Sequence, residues 1–134
     1  MIMFEGINYF AVIVSAIVYY FIGFIWYTLL FGGIWEKETG VSMKSTGKPK
    51  AWAMAGQFIS TLLFTLGIAI ILRLYGSYGI TEGIYVSALI TIFFVIPINS
   101  GNLFFTGKNK LFILDVCERA IGSLMTGIIL GFWK

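Results

Sequence analysis

Residues 6–35 read GINYFAVIVSAIVYYFIGFIWYTLLFGGIW, thirty positions between Glu5 and Glu36 without one charged side chain. A hydrocarbon core about 30 Å thick takes about 20 helical residues, so this stretch exceeds what a bilayer crossing requires. At about 1.5 Å per residue, Ile7 to Trp35 would reach roughly 40 Å, and a helix built from it has to tilt, bend or protrude. No basic segment precedes it, Glu5 stands where a signal peptide carries Lys or Arg, and its length is about twice that of a signal-peptide apolar region. The first helix is therefore expected to stay in the mature protein.

The same ruler finds further spans downstream. Between Lys50 and Arg73 lie 22 uncharged residues, and between Glu82 and Lys108 there are 25. A fourth segment, Leu111 to Trp133, has 23 residues but carries Asp115, Glu118 and Arg119 near its start. These lengths predict an all-α polytopic membrane protein, a single domain over 1–134, with four transmembrane helices in an up-down bundle at about 7–33, 51–73, 82–106 and 109–133. Composition agrees. The 134 residues are 59% hydrophobic, 18% aromatic and 11% charged, with mean hydropathy +0.94, whereas soluble domains carry about 25% charge.

Inventory narrows the chemistry. There is no His, so imidazole metal ligands and Ser/His/Asp or Cys/His catalysis are excluded, and one Cys excludes an intrachain disulfide or a CxxC pair. The five Met are scattered, without a spacing suited to Cu(I). Neither a metal nor a cofactor is expected, and the chain does not read as an enzyme. The net charge of +3 is spread over short loops, which gives nucleic acid nothing to bind.

Those loop charges set an orientation. Residues 36–50 hold Lys37, Lys44, Lys48 and Lys50 in a flexible basic connection, and the third turn holds Lys108 and Lys110, whereas the opposite side has Arg73 and Lys134. The positive-inside rule then places both termini outside a multi-pass cell-membrane protein, with the first and third loops in the cytoplasm. Trp35, Trp52 and Trp133 fall at the predicted helix ends, where interfacial indoles are expected.

The charges of the last segment are costly. Central Asp, Lys or Arg costs about 2.5–3.5 kcal/mol on insertion scales, and each Leu, Ile, Phe or Val returns about 0.3–0.6 kcal/mol. The eleven such residues between Leu111 and Trp133 barely offset three charges, so this helix needs partners. At about 100° per residue, Asp115, Glu118, Arg119, Gly122 and Thr126 share one face. Asp115 and Arg119 are spaced to pair, with Glu118 in reach of the same guanidinium or another partner. Ser123, Gly127 and Gly131 continue beside that face as a stripe of small residues that admits a neighbouring helix. Pro97 frees a carbonyl and loosens the third helix over Pro97–Asn102. Matching depths about Lys108 brings Asn99 and Asn102 level with the charges, and Gln57 and Tyr27, with Trp26, fall at a similar depth. The expectation is a polar belt of Tyr27, Gln57, Asn99, Asn102, Asp115, Glu118 and Arg119. The Phe and Tyr residues read chiefly as lipid-facing bulk, although Tyr19 and Tyr20, deep in the first helix, would each need a hydrogen-bond partner, and Cys117 reads as a packing residue pointing away.

The run Ile7-Asn8-Tyr9, then Gly23-Phe24-Ile25-Trp26-Tyr27, Leu30-Phe31-Gly32 and Trp35, resembles the opening of the domain of unknown function 1761 family. Leu111-Phe112, Met125-Thr126-Gly127 and Ile129-Leu130-Gly131-Phe132-Trp133 resemble its close. The resemblance implies a four-helix integral membrane protein without assigned catalytic residues. In the last helix, where that family tends to carry Asn, Gly and an aromatic or His, this chain has Asp115, Cys117, Glu118 and Arg119.

Two carboxylates and one guanidinium leave one negative charge at membrane depth, to be balanced by a proton on Glu118 or Asp115, a bound cation, or a basic group of another subunit. One reading is a homo-oligomeric transporter or channel for protons or small cations, assembled through the Gly127/Gly131 stripe. Another is a non-transporting assembly or stabilising subunit docked on a partner membrane protein. A third, a membrane enzyme acting on lipid, rests only on Asp115 and Glu118 as acid and base, and the plain structural reading is a satisfied buried network that fixes helix register or an oligomer contact.

Overall fold

A computed structural model of the chain describes residues 5–40 and 51–133, and its regular elements are all helical. They are α1 (Tyr9–Leu30), α2 (Gly32–Thr39), α3 (Ala51–Tyr75), α4 (Ile80–Phe104) and α5 (Asn109–Phe132). The long helices α1, α3, α4 and α5 run alternately up and down, and contacts between their ends fix the arrangement. Arg73 at the end of α3 donates from Nε to the Glu5 carbonyl (3.0 Å), Asn8 ahead of α1 donates to the Trp133 carbonyl (3.5 Å), and Phe10 meets the Trp133 ring edge-on at 5.1 Å. Among the described residues three helices, α1, α3 and α4, are long and apolar enough to cross a membrane. The fourth long helix, α5, has 24 residues and carries the three charges.

Among the described residues the expected four helices are thus five, because the first does not run unbroken from 7 to 33. Asn8 caps it, its side chain accepting from the Ala11 N–H at 3.1 Å. The helix widens into a π turn at Trp26–Leu30, where the Phe31 N–H bonds the Trp26 carbonyl at 2.9 Å. It breaks at Phe31 and resumes as α2, whose Gly32 lies so close to the Tyr27 carbonyl that a Cβ would stand 3.0 Å from that oxygen. Glu36–Thr39, expected in the connection, belong to α2, which ends on Gly40 in the left-handed conformation (φ 74). Lys44, Lys48 and Lys50 lie outside the described residues.

Helix α4 starts at Ile80 rather than at 82, because the Glu82 carboxylate accepts from the Gly79 N–H (2.7 Å) and secures the first turn. Pro97 lacks an N–H and its ring crowds the carbonyl one turn back. The loosening therefore begins before the expected Pro97–Asn102 run, as a π turn at Thr91–Val95, followed by short helical pieces at Ile96–Asn99 and Gly101–Phe104.

At one end the bundle is closed. Ala11, Val12, Ile68, Ala69, Leu72, Val86 and Leu130 form its core, and the buried Thr61, Thr65, Ile68, Ala69 and Leu72 of α3 recur at helical spacing as one stripe. The tightest seam joins α4 to α5. A Cβ on Gly83 would overlap the Gly127 carbonyl, and one on Gly131 would overlap that of Gly79. Ser87 donates to the Ser123 carbonyl at 2.6 Å, and the Thr91 and Ser123 hydroxyls are 3.0 Å apart. The stripe of Ser123, Gly127 and Gly131 therefore admits α4 of the same chain. This corrects the expectation that it joins copies, since its close-approach surface is already covered.

Candidate functional site

Toward the other end the long helices part. The first ten residues of α3, Ala51–Ser60, are mostly exposed, as are Phe93, Phe94 and Ile98 across from them in α4. Between these flanks lies a cavity of about 780 Å³ whose walls come from α1, α2, α3, α4 and α5. Both π turns border it, through Tyr27 and Thr28 on one side and Phe94 and Val95 on the other. A π turn admits one residue more than an α turn, and such turns recur at functional sites.

Six of the seven residues expected in a polar belt line this cavity: Tyr27, Gln57, Asn99, Asp115, Glu118 and Arg119. Four of them engage one another. The Tyr27 hydroxyl donates to Asp115 Oδ1 at 2.6 Å, Arg119 Nη1 stands 3.8 Å from Asp115 Oδ2, and the same nitrogen donates to Asn99 Oδ1 at 3.5 Å. Asn99 in turn donates to the Val95 carbonyl at 2.8 Å, inside the loosened part of α4. The network thus ties α1 and α4 to α5 at the level where α4 is weakest. The seventh residue, Asn102, does not join them. It stands at the last turn of α4, where its carbonyl accepts from the Lys108 N–H (2.7 Å) and the Thr106 hydroxyl (2.9 Å). Pro97 acts through its backbone effect on α4 and is itself exposed.

Glu118 stands apart from that network. Its side chain borders the cavity, the residue is 5% exposed, and among the described residues it makes neither a hydrogen bond nor an ion pair. The expected reach to Arg119 is not made, because the guanidinium is turned toward Asp115 and Asn99. Space for the carboxylate comes from Gly23 of α1, where a Cβ would stand 3.1 Å from Glu118 Oε1. One turn along α5, Gly122 accepts the Tyr19 ring, which a Cβ there would meet at 2.5 Å. The two glycines let α1 and α5 close behind the acid. By helix rise, Glu118 lies about 13 Å beyond the start of α5.

The aromatic walls were not foreseen. Tyr19, Tyr20, Phe24, Trp35, Phe64 and Phe94 border the cavity, whereas Phe10, Phe21, Phe93, Phe104, Phe105 and Phe132 are exposed, in keeping with the reading of the Phe residues as chiefly lipid-facing. Tyr20 donates to the Met54 carbonyl at 3.4 Å, Tyr19 meets Phe64 edge-on at 5.6 Å, and Trp35 meets Tyr27 at 6.3 Å. The one available signal was two adjacent phenols in the middle of an apolar run, since a buried hydroxyl needs a partner. Trp26, expected near the belt, instead packs on Phe31 with ring centroids 4.6 Å apart. Cys117 is exposed, away from the cavity. Among the described residues, no group of His, Cys, Asp and Glu side chains is suited to hold a metal ion.

Comparison with known proteins adds a family. The family described as "Protein of unknown function (DUF1761)" matches residues 10–131, and the chain belongs to it. No curated protein and no solved structure matches the chain.

Proposed function

We propose that this member of the domain of unknown function 1761 family is a four-span membrane transporter or channel that takes a proton or small cation at Glu118. The observation that carries the proposal is the Glu118 carboxylate, 5% exposed and, among the described residues, without a hydrogen bond or ion pair, on the wall of a cavity; with α5 as a span it lies at membrane depth. Ionisable groups in that position mark ion and proton pathways. Asp115 is already engaged by Tyr27 and Arg119, so the balancing charge is drawn to Glu118. In this reading α5 is the fourth span, kept in the bilayer because its charges turn toward the other helices. Lys37, Lys108 and Lys110 lie at the open end of the bundle, so the cavity faces the cytoplasm, in the cell membrane, with both termini outside.

The reading includes a homo-oligomer. With the Gly127/Gly131 stripe engaged by α4, the contact between copies falls on the exposed flanks of α3 and α4. Those flanks also support a competing reading, a stabilising subunit docked on another membrane protein. Purified protein in liposomes separates the two. Proton or monovalent-cation flux that falls to the level of empty liposomes with Glu118→Gln supports the transporter. Absence of flux from the wild type, together with a stoichiometric partner retained in mild detergent, contradicts it.

A further inference from the structure

The cavity around Glu118 is too large and too aromatic for a bare metal cation, and among the described residues it gathers no group of acidic side chains suited to hold one. A hard cation takes six or more oxygen ligands in a small shell, whereas Asp115 is committed elsewhere and Glu118 offers one free carboxylate. Small-molecule sites typically occupy about 300–1,000 Å³ and are mostly apolar with a few placed polar groups; at about 780 Å³ this cavity falls in that range. Its aromatic wall comprises Tyr19, Tyr20, Phe24, Tyr27, Trp35 and Phe64. Aromatic faces attract cations, more strongly where water is excluded. A deep carboxylate that makes neither a hydrogen bond nor an ion pair among the described residues supplies the opposite charge, and its Gly23 neighbour leaves room at Oε1.

We infer that the occupant is a lipophilic organic monocation, an alkylated or arylated ammonium-type group, held between the aromatic walls with Glu118 as its counter-ion. The inference rests on the cation reading above and names the class of cation. Two sources offer this chemistry, a free organic cation and the amine of a lipid headgroup, since the cavity lies between exposed flanks of α3 and α4.

The test is equilibrium binding of radiolabelled tetraphenylphosphonium to the full-length protein in phosphatidylglycerol nanodiscs, with tetraphenylborate as the anion of matching shape. Saturable binding of the cation alone is expected. Glu118→Gln should weaken it roughly ten- to a hundredfold, the range of one partly screened attraction between opposite charges. Gly23→Ala, which crowds the carboxylate without removing it, should weaken it less, and Cys117→Ser should leave it unchanged. Persistence of binding when phosphatidylethanolamine is added assigns the site to a free cation, and competition by that lipid assigns it to the headgroup amine. The inference is overturned by absence of saturable binding, by equal binding of the anion, or by full affinity in a monodisperse Glu118→Gln protein. Glu118-dependent proton or sodium flux without tetraphenylphosphonium binding overturns this inference and leaves the transporter reading standing. Binding without flux does the reverse.

Discussion

The two ends of the α4–α5 pair are built from the same helices and behave oppositely. At the closed end, Gly79, Gly83 and Ser87 face Gly131, Gly127 and Ser123, and the backbones approach until no Cβ fits between them. Without a hydrophobic driving force between helices in lipid, such close packing and its hydroxyl-to-carbonyl bonds are what hold spans together. At the open end, Pro97 and the π turn of α4 deny that regular approach, and the space is lined by aromatic rings and bridged by the Tyr27–Asp115–Arg119–Asn99 network. Small residues at every fourth position close this pair of helices; an irregular helix with polar cross-links keeps part of it apart.

The largest expected effect comes from spoiling the closed end. Gly127→Val should destabilise the protein by about 3 kcal/mol or more, because its side chain displaces the backbone of α4 rather than a flexible group. Gly56→Ala, at a helical glycine with open space around it, should be neutral or stabilising by up to about 1 kcal/mol. Thermal unfolding in detergent measures both, and equal losses would show that the seam has no special role.

Cutting the cross-link at the open end should cost less. Asp115 and Arg119 side chains are 15% and 39% exposed, so Asp115→Leu should lose about 2 kcal/mol, reduced from the value for a fully buried pair by access to water. The double variant Asp115→Leu/Arg119→Leu should recover part of that loss, since no guanidinium is then left without its carboxylate. A double variant worse than the sum of its parts would contradict this. Smallest of the three, Tyr27→Phe should cost about 1–2 kcal/mol by removing the 2.6 Å bond to Asp115, while the closed end, followed by amide exchange of α5 beyond Ser123, stays as protected as before.

The closed end and the open end were unequally legible in the sequence. Charge spacing located the apolar spans because lipid tolerates few charges, and the one-face arrangement of Asp115, Glu118 and Arg119 followed from helical period alone. Pro97 announced the irregularity of α4. The break at Phe31 was hidden inside an uncharged run, where excess length and Gly32-Gly33 were its only traces. Depth matching about Lys108 placed Asn99 but misplaced Asn102, because the turn through Gly107 (φ 67) uses the Asn102 carbonyl as its cap. The aromatic walls were illegible for a physical reason: a ring facing lipid and a ring facing an internal cavity leave the same mark on hydropathy. Nor does a run of small residues say whether the helix it admits belongs to the same chain, and here it does.

Everything functional turns on Glu118 being the free carboxyl group of an intramembrane cavity. Dicyclohexylcarbodiimide, a membrane-soluble reagent that adds to carboxyl groups in apolar surroundings, tests this most directly when its adducts on the membrane-embedded protein are mapped by mass spectrometry. The account predicts one dominant adduct, on Glu118, absent from Glu118→Gln and reduced by tetraphenylphosphonium. A dominant adduct on Asp115, or a Glu118 that reacts only with a water-soluble carbodiimide, would contradict it.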